Sequence, residues 1–205
     1  QYRELAYLLA KIRDDVNIVM CAGQHDAVRV AEPQPIISEN YAQPLYFLKN
    51  LKLVTNPSVI EIGKDTKFKV LMYHGASMHG IINSIEKLRL GKGHDSPTEV
   101  VKYLLKKRHL APSHSLVTYT PLGGNDALLI HEVPDIVATG DLHRPEVGDY
   151  NGVTLIAGSC WQSRTPFEEK VGNVPDPAKV PVLNLKTREL KIFDFGVEEE
   201  IAREY

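Results

Sequence analysis

Cysteine is scarce in this chain: Cys21 and Cys160 are its two thiols among 205 residues. Two thiols cannot build the disulfide framework of a small secreted scaffold. Both lie in apolar, strand-like surroundings, so the expectation is a pair of buried, reduced thiols in a cytoplasmic protein. Long apolar runs are missing too. No stretch approaches the roughly 20 residues that a membrane span needs, so no membrane partner is expected. No signal-peptide pattern opens the chain. Neither sign of charge is in surplus: 24 Lys and Arg against 26 Asp and Glu leave a formal net charge of −2. Bulk charge therefore gives no reason to expect nucleic acid, although a neutral total can hide a local basic patch. There are no repeats and no low-complexity tracts. The chain opens on Gln1, not Met, inside a helical pattern. That points to a piece of something longer.

What remains is an ordinary globular composition, 43% hydrophobic and 24% charged. No break divides it, so residues 1–205 are read as one domain. Leu5, Leu8, Leu9 and Ile12 recur at helical spacing, which predicts an amphipathic helix ended by Asp14 and Asp15. Residues 16–21 read as a buried strand and 23–37 as a loop. Ser38 caps a short helix that Pro44 interrupts or restarts. Residues 51–54, 59–62 and 68–73 are predicted strands, and 78–88 one helix with Ile81, Ile82, Ile85 and Leu88 on one face. Ser96-Pro97 opens another helix, with Val100, Val101, Leu104 and Leu105 buried. Short strands follow at 128–130, 136–138 and 153–157, then an irregular Pro-rich loop over 165–181. Residues 182–185 and 190–195 read as a hairpin, and Glu198 to Tyr205 as a frayed polar tail. Helices mix with strands early and strands dominate late, which predicts an α/β layered sandwich with some antiparallel strands.

Three predicted strands end alike: in Gly23-Gln24-His25-Asp26, in His74-Gly75 and in Gly140-Asp141-Leu142-His143. Sites in open α/β sheets form beyond the carboxyl ends of strands. Imidazole, carboxylate and amide oxygen at three such ends could converge on a divalent cation. The i, i+2 spacing puts Asp141 and His143 on one side of an extended segment. A lone strand-end His is more often structural than a ligand; it is the recurrence at three ends that makes the metal reading competitive. Elsewhere the readings are bland. Trp161 is core or an interface anchor, ahead of base stacking. Lys102, Lys106, Lys107 and Arg108 are a solvated helix face. His79, His94, His114 and His131 carry no role.

The order Gly-Asn-His-Asp, strand-end His-Gly and Gly-His-x-His marks the calcineurin-like metallophosphoesterases, and residues 23–26, 73–75 and 140–143 resemble it. The segments GQHDAVRVAEPQP (23–35), KRHLAP (107–112), EVPDI (132–136), GSCWQ (158–162) and KVPV (179–182) further resemble the small, exonuclease subunit of archaeal D-family DNA polymerases. The resemblance implies the C-terminal portion of a calcineurin-like α/β sandwich. It also implies a two-metal 3′–5′ exonuclease acting on the DNA 3′ end and bound to the large catalytic subunit. By position it makes Gln24, His74, Asp141 and His143 metal-site candidates. His25 becomes the non-ligand His that serves the transition state, with Asp26 orienting it. Arg144 is the phosphate-clamp candidate. Gln24 replaces the usual Asn, and Asp141 the usual first His. The added carboxylate favours Mn²⁺ or Mg²⁺, with Zn²⁺ or Fe²⁺ as alternatives. The upstream Asp-x-His and Gly-Asp-x-x-Asp motifs do not occur here. Three readings stand: an exonuclease, a degenerate scaffold that holds the large subunit, and, more weakly, a phosphoesterase for a small nucleotide.

Overall fold

The computed structural model describes residues 1–171 and 173–196. In chain order the elements are α1 (Tyr2–Leu9), β1 (Ile18–Cys21), α2 (Glu39–Tyr46), β2 (Leu51–Val54), β3 (Ser58–Ile62), β4 (Phe68–Tyr73), α3 (Met78–Ser84), α4 (Glu86–Leu90), α5 (Pro97–Lys107), β5 (Ile136–Thr139), β6 (Glu146–Tyr150), β7 (Val153–Ala157), α6 (Pro166–Val171), β8 (Lys179–Leu183) and β9 (Leu190–Asp194). The α/β class read from the sequence holds. A mixed five-stranded sheet runs β3-β4-β5-β7-β6, with β4, β5 and β7 parallel and both edges antiparallel. β1 pairs in parallel with β2, and β8 with β9 as a hairpin.

The period-2 alternation of β7 explains the main core. Val153, Leu155 and Ala157 are buried while Thr154 and Ile156 are half-buried. On that inner face α3 lays down Met78, Ile81 and Ile82, and α5 lays down Val100, Val101, Leu104 and Leu105. Leu155 has no exposed surface, so its truncation to Ala costs about 2–5 kcal/mol. A second cluster gathers Leu5 and Leu9 of α1 around Ile37, Ala42, Leu45 and Leu51. Leu8, on the predicted apolar face, is half exposed.

Several expectations need correction. α1 stops at Leu9 rather than at Asp14; Lys11 and Ile12 bond only three residues back, the tighter turn common at helix ends. β1 is half-buried throughout rather than buried, and Cys21 and Cys160 are half-buried free thiols. The predicted 78–88 helix is two helices, broken at an extended Ile85 after the poor helix formers Asn83 and Ser84. Residues 128–130 make a single bridge, Leu129 to His109, because Asp126 turns the backbone by accepting from the Leu128 amide. The 165–181 loop contains α6, and β8 begins at Lys179 rather than at residue 182. β6 lies where no strand is expected. Gly148 and Asp149 are weak strand formers, yet Asn151-Gly152, both at positive φ, is a strong hairpin signal. Glu146 of β6 accepts from the Thr98 amide at 2.8 Å and so caps α5, the role assigned to Ser96. Trp161 is 76% exposed, which excludes a core role. The expected frayed tail, Glu198 to Tyr205, lies outside the described residues.

Candidate metal centre at the strand ends

β4 and β5 pair with Tyr73 opposite Thr139, so His74 and Gly140 leave the sheet side by side, and the Gly140 amide donates to the His74 carbonyl at 2.9 Å. The segment that follows is not the extended one that the i, i+2 spacing predicts. Asp141 (φ 65°) and His143 (φ 56°) are both left-handed, a conformation that costs a non-glycine residue about 1–2 kcal/mol. Strain of this kind gathers at functional sites. The turn drives the Asp141 side chain inward until it is 6% exposed. Its Oδ1 lies 3.3 Å from His74 Nε2 and accepts from Gln24 Nε2 at 3.0 Å; its Oδ2 lies 3.7 Å from His79 Nε2. The His74 ring rests on the bare α-carbon of Gly23, where a Cβ would stand 2.7 Å from the ring. Only glycine permits that approach.

Burial pushes the Asp141 carboxyl up. His74, with His79 and His143, more than offsets it, so the group lies below the ordinary carboxylate range. His74 Nε2 and Asp141 Oδ2 are nevertheless buried without a hydrogen-bond partner, as is Thr139 Oγ1. The 3.3 Å His74–Asp141 separation is thus an ion-pair distance without hydrogen-bond alignment. Buried orphan donors and acceptors are rare and call for an occupant. A lone-pair nitrogen beside a carboxylate oxygen fits a divalent cation. The set is not closed: among the described residues no group of three or more His, Cys, Asp or Glu side chains stands arranged around an ion.

The 23–26 end and His143, on the same turn as Asp141, remain. His25 is exposed in the 23–26 turn. Asp26 was expected to orient it, but both oxygens are taken up elsewhere, by the Tyr2 hydroxyl at 2.7 Å and the Gly23 amide at 2.8 Å. Tyr2 in turn accepts from the Ala27 amide, so α1 pins the loop. His143 Nδ1 meets Glu168 Oε1 at 2.6 Å, which leaves Nε2 available. Glu168 is 4% exposed and forms a reciprocal cap with Thr165 at the start of α6. The sequence did announce this residue: Thr165-Pro166-Phe167-Glu168 has the capping-box spacing. Arg144 is engaged, donating to the Val174 carbonyl at 2.9 Å and pairing with Asp95 at 2.8 Å.

The AEPQP segment, distinctive in sequence but given no role there, is the buried hinge of the site. Glu32, Gln34 and Asn56 are each at most 1% exposed. Gln34 Nε2 donates to the Gly23 carbonyl, and Asn56 Oδ1 accepts from the His74 amide at 2.8 Å. Asn56 Nδ2 joins the two by donating to Gln34 Oε1 at 2.8 Å and to Glu32 Oε1 at 3.3 Å. Glu32 Oε2 accepts from the Tyr73 hydroxyl at 3.1 Å. This network carries two of the three strand ends on one frame. Burial pushes the Glu32 carboxyl up to about 7, against the pull of Tyr73 and His74.

The sequence model of a family described as the B subunit of DNA polymerase alpha/epsilon matches residues 2–148. A Methanothermobacter thermautotrophicus protein named DNA polymerase II small subunit is 39% identical over 198 residues, 96% of this chain and 39% of that protein. One of the same name from Pyrococcus abyssi is 38% identical over 198 residues, 96% of this chain and 31% of that protein. The chain therefore spans between about a third and two-fifths of the length of these curated relatives. A solved structure described as a novel archaeal phosphodiesterase aligns with a TM-score of 0.39 and 13% identity, covering 93% of this chain and 74% of that one.

Proposed function

The chain belongs to the DNA polymerase alpha/epsilon B-subunit family and resembles archaeal DNA polymerase II small subunits over nearly its whole length; from this we propose that it is part of a small subunit that removes nucleotides from DNA 3′ ends as a metal-dependent exonuclease. The observation that carries the reading is the pair of buried, unpartnered atoms His74 Nε2 and Asp141 Oδ2 at adjoining strand ends; a third strand end exposes His25. His74, Asp141 and His143 would hold divalent cations, Mn²⁺ or Mg²⁺ by preference, since a carboxylate is a hard donor. Such ions supply Lewis-acid polarisation of a phosphodiester and a water that is nucleophilic near neutral pH. The chain's own residues do the rest. Glu168 holds the His143 ring through Nδ1, so Nε2 would be the ligating nitrogen. In this reading the exposed His25 would donate a proton to the leaving 3′ oxygen. The partner in this reading is the large polymerase subunit, and the setting is the cytoplasm. No helix among the described residues is long and apolar enough to cross a membrane.

A specific observation favours the scaffold alternative. Gln24 turns its amide nitrogen, not its oxygen, to Asp141, so the two satisfy each other. Arg144 is likewise tied to Asp95. The test uses the full-length subunit on 5′-labelled single-stranded DNA with Mn²⁺ or EDTA. A ladder shortened from the 3′ end only with metal is expected. No ladder, with the large subunit also present, favours the scaffold.

A further inference from the structure

Three aromatic side chains outside the strand-end site stand bare. Trp161, Phe193 and Phe195 are all exposed. Their rings form one patch: the centroids of Trp161 and Phe195 are 6.5 Å apart, and those of Phe193 and Phe195 6.4 Å apart with 26° between the planes. Spacings of this size are those of neighbouring aromatic side chains. Here the rings meet solvent rather than a core.

The backbone ties this patch to His143. β5 and β7 are parallel neighbours, with Thr139 opposite Ala157. His143 and Trp161 each come four residues after that pair, so both segments leave the sheet at the same end. The Asp176 amide donates to the His143 carbonyl at 2.9 Å, and Ser159 Oγ donates to the Asp176 carbonyl. The Ala178 amide donates to the Cys160 carbonyl and the Phe195 amide to the Ala178 carbonyl, both at 2.8 Å. A second tether runs through α6, where Glu168 meets His143. Between Trp161 and the end of α6 lie two exposed cations, Arg164 and Lys170, and neither forms an ion pair among the described residues. Lys179, by contrast, is held by Asp176 and Asp194.

We propose that Trp161, Phe193 and Phe195 are a stacking platform for unpaired bases of the DNA strand whose 3′ end enters the strand-end site, with Arg164 and Lys170 meeting its phosphates. Aromatic faces beside unpaired cations are the usual means of holding a single strand without reading its sequence. A duplex already stacks its bases on each other, so the platform selects single-stranded ends. The proposal rests on the exonuclease reading and adds to it where the substrate strand lies.

The test measures anisotropy of labelled single-stranded oligothymidine with the full-length subunit in EDTA, and shortening of the same strand in Mn²⁺. For Trp161→Ala we expect binding to weaken about 10-fold, with KM raised and kcat little changed. Trp161→Phe keeps a ring and recovers most of the affinity. An abasic strand, which has nothing to stack, binds wild type and Trp161→Ala alike. Arg164→Ala lowers the slope of log affinity against log salt by about 0.7. If Trp161→Ala binds and shortens the strand as the wild type does, the platform is overturned and the exonuclease reading stands. If Trp161→Ala keeps the strand but loses the large subunit, the patch is a protein contact and the proposal is again overturned. A wild type that binds the strand through these rings yet cuts nothing, even with the large subunit, supports the platform and sinks the exonuclease reading.

Discussion

Replacing Glu32 by Gln tests the buried frame under the site through its pH dependence. Glu32 is 1% exposed, and burial raises its carboxyl from an ordinary 4.5 to about 7. Below pH 4.5 the folded and unfolded chains both hold this proton, and the group's contribution to stability is fully present. Between 4.5 and 7 the unfolded chain releases the proton while the folded chain keeps it, so stability falls as pH rises. The loss is complete once the folded carboxyl has ionised. A rise of some 2.5 units at 1.36 kcal/mol each gives about 3 kcal/mol. Glu32→Gln keeps an oxygen for the Asn56 amide and never ionises. Urea unfolding of the full-length subunit in EDTA, wild type against Glu32→Gln, reads the effect. Other titrating groups are common to both proteins and cancel in the difference. The variant should gain about 3 kcal/mol relative to the wild type between pH 4.5 and 8. A difference that stays flat within about 0.5 kcal/mol would show that Glu32 does not hold its proton on folding.

Asn56→Ala removes three side-chain hydrogen bonds, two of them buried, and orphans the His74 amide and Gln34 Oε1. It should destabilise by about 3–4 kcal/mol in urea unfolding, and a loss under about 1 kcal/mol would show that the network is slack. Glu168→Ala breaks both the α6 cap and the His143 contact. It should cost about 1 kcal/mol of stability and weaken Mn²⁺ binding about 10- to 100-fold, with calorimetry as the readout. Tyr2→Phe leaves Asp26 Oδ1 and the Ala27 amide without their shared partner. Amide exchange across residues 23–28 should quicken, with about 1–2 kcal/mol lost, and unchanged exchange would mean that α1 does not pin the loop.

Much of the strand framework was legible because its signal is local: apolar runs bounded by turn residues at Asn56-Pro57 and at His74-Gly75. The meeting of Gln24, His74 and Asp141 was legible because each sits in a short motif at a strand end. Three features were not legible in this way. The left-handed turn at Asp141 and His143 reverses the side-chain logic of an extended segment, and no sequence period announces a positive φ at non-glycine residues. Contacts made across the fold were also hidden: Glu146 capping α5, Glu168 meeting His143, and His79 reaching Asp141. The Thr165–Glu168 spacing and the Asn151-Gly152 pair, by contrast, carry local signals that point to α6 and β6. The half-burial of β1 was invisible for a different reason. An apolar run tells what a strand can bury, not what lies against it.

Whether these strand ends cut phosphodiesters, with His25 acting without binding metal, is tested by comparing full-length wild type with His25→Ala, following Mn²⁺ binding and shortening of single-stranded DNA in the same preparation. Both proteins should bind Mn²⁺ alike, and only the wild type should shorten the strand from its 3′ end. A His25→Ala protein that cleaves as fast as the wild type, or a wild type that binds metal and cleaves nothing with the large subunit present, would rule the exonuclease reading out.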